Sequence, residues 1–371
     1  MEIETVAALV AFLNAGGSPA GIRLHGLDLE SCESLLLERS DLAGLVVLGG
    51  RVTRRLAQHL IEHGAVVFPA VTQAPVDAFR TRLYQADELY AGLTERGYDD
   101  TLDARAYHWS VHTRRSHDVF AAMVAAIHDT GMADALQEVA DGAPLAGVMG
   151  GHAVRRDEPG YRQAAGLGLR LGALGMVVVT GGGPGAMEAA NLGALCRDDT
   201  ELDAMVAALA AVPTFDGHVQ AWADAAFAVL RALAVPLGSA GVRSVGVPTW
   251  FYGHEPPNVF CDGIAKFFSN AVREDELLAR CTAGLVILPG AAGTVQELFQ
   301  AITPRYYANG DGPIPPVVLV GTHHWTQRIP VWPVVTALAE RRTLSRAIHL
   351  VDDIAAAADL MARMTGAADE R

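Results

Sequence analysis

The chain has 371 residues, 51% of them hydrophobic, which is enough for one large domain with a smaller one attached, or for two domains. A net charge of −14 excludes the broad basic face that a nucleic-acid backbone needs, and no window approaches twenty uninterrupted apolar residues, so neither a nucleic-acid nor a membrane partner is expected. The opening MEIETVAALVAFLNAGG carries acid where a secretory leader carries base, and Cys32, Cys196, Cys261 and Cys281 are scattered without CxxC or zinc-like spacing; both features point to a cytoplasmic protein with no metal.

In chain order, GIRLHGLDL, GLVVLGG and GAVVFPAV are strand-like, while RRLAQHLIEH and PVDAFRTRLYQADEL are helix-like. This βαβα punctuation with short connections predicts a small α/β unit, followed by mostly helical sequence over residues 101–141. A domain boundary is placed at 140/141. From Leu145 the pattern is more regular: strand LAGVMGG, helix YRQAAGLGLRLGALG, strand MVVVTGGGPG, helix AMEAANLGALC, then strands at VRSVGVPT, GLVILPG and PPVVLVG. Apolar β-branched runs between helices predict a doubly wound, Rossmann-like parallel sheet covered on both faces, with the first 140 residues as an N-terminal α/β extension. Residues 197–243 read as a helical insertion, suited to extra packing or to an oligomer contact. GIAKFFSNAV, which holds the chain's single lysine, Lys266, also reads as helix.

Two glycine turns carry the chemistry. Strand MVVV runs into Thr180-Gly181-Gly182-Gly183-Pro184-Gly185 and then a helix, and VILPGAAGT repeats the arrangement at Pro289, Gly290, Gly293 and Thr294. Backbone amides at a helix start favour an anion, most simply a phosphate, although a lone glycine turn serves tight strand-to-helix packing equally well. Two such turns in one sheet suggest one ligand held in the crevice above the strand ends. A dinucleotide dehydrogenase fits poorly, because GGGPGAME lacks the G-x-G-x-x-G spacing. Glu297 lies in the helix after the second turn, where a carboxylate can face bound sugar phosphate and take a proton from water; a surface glutamate favoured by the helix dipole is the alternative. Arg280, at the entry to strand GLVILPG, offers a fixed charged fork for a phosphate or for that carboxylate, or else a solubilising charge. His152 follows the glycines of MGGH, with Arg155 and Arg156 close enough to add positive charge. His59, His63, His108, His112 and His117 form no third-ligand pattern and read as surface residues.

The stretch from Pro289 to Glu297, PGAAGTVQE, resembles the PGGxGTxxE signature of the LOG family, once labelled lysine decarboxylase, and GGGPGAMEAANLGA resembles its second signature. The stretch from GGH to GPGAM, and His254-Glu255-Pro256-Pro257-Asn258, resemble the larger bacterial nucleotide 5′-monophosphate nucleosidases; HLVDDIAAAADLM resembles the family's closing strand and helix. The resemblance implies hydrolysis of a nucleoside 5′-monophosphate to free base and ribose 5-phosphate, without a cofactor. It implies Arg280 and Glu297 as the catalytic pair, with Gly151, His152, Thr180, Gly181, Gly182, Gly183, Gly185, Met187, Glu188, Pro289, Gly290, Gly293 and Thr294 around the substrate. It also implies a homo-oligomer. Ala291 departs from the second glycine of PGG, and the segment before Arg280 is longer than in relatives, which leaves room for a nucleotide sensor with little or no catalysis. A pyridoxal decarboxylase would need a Schiff-base lysine, and Lys266 in a helix without an acidic partner is a poor candidate. The base is not identified by the sequence.

Overall fold

The computed structural model describes residues 1–251, 255–308 and 314–366. The chain forms two compact units, Met1–Arg80 with Asp118–Gly131, and Thr81–His117 with Met132–Arg371. The division therefore falls elsewhere than at 140: residues 81–117 belong with the large unit, and the long helix Val119–Ala140 runs through both. That helix is long and apolar enough by composition to cross a membrane, but it buries Val124, His128, Asp129, Met132 and Leu136 along one face, as a core helix does.

The first unit is a four-stranded parallel sheet in the order β1 (Glu2–Ile3), β2 (Arg23–His25), β3 (Val46–Leu48) and β4 (Val66–Phe68). Helices Val6–Asn14 and Arg54–Glu62 start on threonine caps: Thr5 Oγ1 accepts from Ala8 N at 3.2 Å, and Thr53 Oγ1 from Leu56 N at 3.0 Å. Leu9, Leu24, Leu29, Leu36, Val47, Leu56 and Leu60 fill the core between helices and sheet. The helix expected over 75–89 is confined to Ala86–Leu89. Upstream of it the Asp77 carboxylate accepts from Phe79 N at 3.0 Å, a local turn that competes with helix.

The second unit is doubly wound, as expected. β5 (Leu145–Met149), β6 (Val177–Thr180), β7 (Ser244–Gly246), β8 (Gly263–Ile264), β9 (Gly284–Ile287), β10 (Val317–Val320) and β11 (Ile348–Val351) are all parallel, in the order β11-β10-β9-β5-β6-β7-β8. β5, β6, β7, β9 and β10 are buried along their whole length, which explains the unbroken Val, Ile and Leu runs. The chain winds one way from β5 to β8 and returns to the other side of β5 with β9. The switch point, where such sheets open a crevice, therefore lies between the turns that follow β5 and β9.

Helices Pro159–Ala173 and Ala186–Leu195 pack backbone to backbone: a Cβ on Gly168 would overlap Ala190 O, and one on Gly193 would overlap Ala165 O. The insertion forms helices Asp199–Leu209 and Val219–Ala232. GIAKFFSNAV is not helical at its start, because Gly263–Ile264 form the edge strand and the next helix begins only at Asn270, with Ser269 as cap. Tyr84 closes that edge by exchanging two 2.9 Å backbone bonds with Ile264.

Candidate active site

The crevice at the switch point is built by the turns after β5 and β9, joined by a 3.3 Å bond from Gly151 N to Pro289 O. After β9 the chain passes Pro289 and Gly290 and enters helix Ala292–Tyr307. A side chain on Gly290 would collide with Thr294, whose hydroxyl lies buried against the turn and caps nothing. Ala291 has φ −117, so it needs no glycine, and the departure from the family signature costs no backbone strain. Ala291, Ala292 and Gly293 are exposed, and a Cβ on Gly293 would meet nothing, so the helix starts at an open surface. This is the anion-binding geometry of a helix N-terminus. His324 braces the turn from outside through a 3.1 Å contact between its Nε2 and Gly290 O, and burial lowers its pKa.

The turn after β6 differs. Gly181 through Gly185 are all buried. Gly182 N donates to Thr180 Oγ1 at 2.9 Å, Gly182 O accepts from Asn258 N at 2.9 Å, and Gly183 O accepts from Asn258 Nδ2 at 3.1 Å. Thr180 Oγ1 in turn donates to Asn191 Oδ1 at 2.6 Å. Thr180, the Gly182 amide and the Gly182 and Gly183 carbonyls are thus engaged in internal bonds, whereas the later turn opens on an exposed helix start. Gly185, at φ 72, is locked there because a Cβ would come within 2.6 Å of both Gly151 O and His152 O. Gly185→Ala is expected to destabilise the protein by about 2–3 kcal/mol through left-handed strain plus this collision, as a shift in thermal midpoint would show.

Glu188 is held in an internal ion pair. Both its oxygens are held by Arg156, from Nε at 3.0 Å and Nη2 at 2.5 Å, and both residues are sealed from solvent. The Arg156 guanidinium lies 4.5 Å from the Trp222 ring centre, so a helix of the insertion closes over this buried pair. Arg155 is neutralised by Asp157 at 3.0 Å, and neither arginine supplies the free positive charge expected of it.

Glu297, on the second turn of the Ala292 helix, faces inward and meets Arg273, with Nη1 to Oε1 at 3.4 Å. Arg273 comes from helix Asn270–Ala279, where Asn270 Oδ1 accepts from its Nη2 at 2.7 Å, while its buried Nε has no partner among the described residues. The same guanidinium passes 3.6 Å from where a Cβ on Gly181 would stand, so it spans from the first turn to Glu297. Arg280, the residue expected beside Glu297, is elsewhere: at the end of its helix it bonds Glu276 and the backbone oxygen of Ala133. The two arginines are seven positions, two helical turns, apart, but Arg280 is the C-cap beyond Ala279 and its guanidinium is taken by Glu276 and the Ala133 carbonyl. Arg280→Ala is therefore expected to leave kcat/KM within about threefold of wild type while costing about 1–2 kcal/mol of stability.

Burial raises the Glu297 carboxyl to about 7; Arg273 opposes this, while Glu274 and Glu255 add to it. Glu255 also reaches the crevice, 3.6 Å from His152 Nδ1, and its Oε2 lies 3.4 Å from where a Cβ on Gly183 would be. Met187 packs under Gly181 and Gly183. His254 lies outside the described residues.

Lys266 has the acidic partner that its sequence context hides. Its Nζ is 2.5 Å from Asp103 Oδ1, both groups are buried, and Asp103 also accepts from Trp250 Nε1 at 2.8 Å and Tyr98 OH at 2.6 Å. This cluster, with Tyr90 OH donating to Pro257 O at 2.6 Å, ties residues 81–117 to the segment that carries Glu255 and Asn258. A sealed, ion-paired ammonium cannot form a pyridoxal Schiff base.

Residues 230–364 match a family described as "possible lysine decarboxylase". This part of the chain is therefore similar to the LOG family, whose signatures the sequence also resembles. The match takes in the edge strand β8, both helices that carry Arg273 and Glu297, and the closing strand β11. Similar solved structures include the molybdenum cofactor carrier protein from Chlamydomonas reinhardtii, 17% identical over 60% of this chain and 99% of that one, with a TM-score of 0.35. The molybdenum cofactor binding protein from the phototrophic bacterium Rippkaea orientalis is 16% identical over 60% of this chain and 97% of that one, with a TM-score of 0.36. No curated protein matches the chain.

Proposed function

We propose that the protein is a nucleoside 5′-monophosphate nucleosidase that uses water to release the free base and ribose 5-phosphate. The observation that carries this reading is Glu297: a carboxyl raised to about 7, buried against an arginine, one helical turn from an exposed helix start. A site that only bound phosphate would have no use for a desolvated carboxylate there. The phosphate sits on the amides of Ala292 and Gly293, which sets the ribose toward Glu297. The carboxylate takes a proton from water; the hydroxide oxygen bonds to the anomeric carbon as its bond to the base nitrogen breaks. The electron pair leaves on the base nitrogen, which takes up the proton that Glu297 removed from water, so the carboxylate is restored. Arg273 holds Glu297 in place and keeps an N–H donor for the sugar phosphate. The subunits are proposed to assemble as a homo-oligomer.

Purified protein incubated with AMP, GMP, IMP, CMP and UMP, followed by chromatography, is expected to yield a free base and ribose 5-phosphate from at least one of them. Nucleotide bound but never cleaved would instead make the protein a nucleotide sensor.

A further inference from the structure

Beside the crevice lies a second cavity of about 430 Å³, with His152 and Glu255 at its mouth, Gly185 and Glu188 on one wall, and Phe215 and Trp222 on the other. The second wall belongs to the helical insertion, whose loop between its two helices contributes Pro213, Thr214, Phe215 and Asp216. We propose that this cavity receives the base of the nucleotide and that Phe215 and Asp216 of the insertion set which base is accepted. The proposal rests on the nucleosidase reading.

The charge balance argues for this placement. Arg156 is cancelled by Glu188 and Arg155 by Asp157, while Glu255, 3.6 Å from His152 Nδ1, and the exposed Asp216, which accepts from the Thr214 hydroxyl at 3.2 Å, add two carboxylates to the lining. Such a cavity repels a phosphate and accepts N–H donors, so the nucleotide lies with its phosphate on the Ala292 helix and its base here. Phe215 is half-buried, with its ring centre in edge contact 6.1 Å from that of Trp222 at 68°; because Trp222 is buried and covered by Arg156, Phe215 is the aromatic surface the cavity offers a base. Two carboxylate acceptors beside a stacking ring fit a base that carries an exocyclic amino group, and the larger face of a purine stacks best. The continuity of the two sites runs through Gly151 and His152: Gly151 bonds Pro289 of the phosphate turn, and the next residue lines the cavity.

Calorimetric titration with AMP, GMP, IMP and ribose 5-phosphate tests this apart from turnover. Phe215→Ala is expected to bind AMP and GMP about tenfold more weakly with ribose 5-phosphate unchanged, and Phe215→Tyr to restore the affinity. Asp216→Asn is expected to reduce the preference for AMP or GMP over IMP. Unchanged nucleotide affinity in Phe215→Ala, or equal weakening of ribose 5-phosphate, overturns the proposal; wild type binding IMP as tightly as both AMP and GMP overturns the amino-group preference. Binding without hydrolysis in wild type sinks the nucleosidase reading while leaving the cavity assignment standing. Hydrolysis unaffected by either variant does the reverse.

Discussion

Glu297→Gln is expected to lower base release by about 10²–10⁴-fold, the range for loss of a general base, with the fold intact. The amide keeps the shape and a hydrogen bond to Arg273 but cannot accept a proton from water. Arg273→Ala is expected to lose about as much, and Arg273→Lys to recover little, because one ammonium cannot hold both Asn270 and Glu297 as the fork does. In wild type the rate should rise with pH through about 7, as burial holds the carboxyl protonated until then. Without Arg273 the carboxyl titrates higher, so the acid limb of the profile should move up in any residual activity. Stability gives a second reading with the opposite sense. The folded state holds its Glu297 proton more tightly than the unfolded chain, whose glutamate titrates near 4.5. That contribution is complete below 4.5 and is lost as the pH rises through about 7. The difference in unfolding free energy between wild type and Glu297→Gln should therefore change by about 3 kcal/mol between pH 4 and 8, in favour of the variant at high pH. Denaturant titration at both pH values measures it. Equal turnover by wild type and Glu297→Gln would sink the mechanism.

Lys266→Met is expected to cost about 3–5 kcal/mol, because it leaves the Asp103 carboxylate buried without its cation. The double variant Lys266→Met/Asp103→Asn should regain part of that loss, since a neutral amide can still accept from Trp250 through its oxygen, can donate its NH2 to the Tyr98 hydroxyl oxygen, and no longer needs a counter-charge. The test is the coupling between the two changes in chemical unfolding; simple additivity would show that the pair does not act as a unit. The cluster holds the segment bearing Glu255, so the single variant should also weaken nucleotide binding before the protein unfolds.

The sheet of the large unit was legible because a strand buried on both faces leaves an unbroken apolar run, and because glycines mark where it ends. β8 was not, since Gly263–Ile264 is too short to show a period and GIAKFFSNAV carries helix-compatible residues. That one misreading hid the role of Lys266, whose partner lies 163 positions away in sequence. Glu297 could be found from its spacing to Pro289, a local relation within one turn and one helix. Its arginine could not, because Arg273 and Arg280 lie two turns apart on one face and only tertiary contacts, Glu297 for one and the Ala133 carbonyl for the other, tell them apart. The two glycine turns look alike in sequence. What separates them is Asn258, which fills the first from a distant segment.

The glycine contact between the Pro159 and Ala186 helices has a mechanical consequence. Two helices whose backbones touch at Gly168 and Gly193 have no side-chain layer to shear, so they move as one slab with β5 and β6. That slab carries Gly151, His152 and Met187. A substrate entering the crevice therefore meets on that side a wall that cannot yield by sliding one helix over the other.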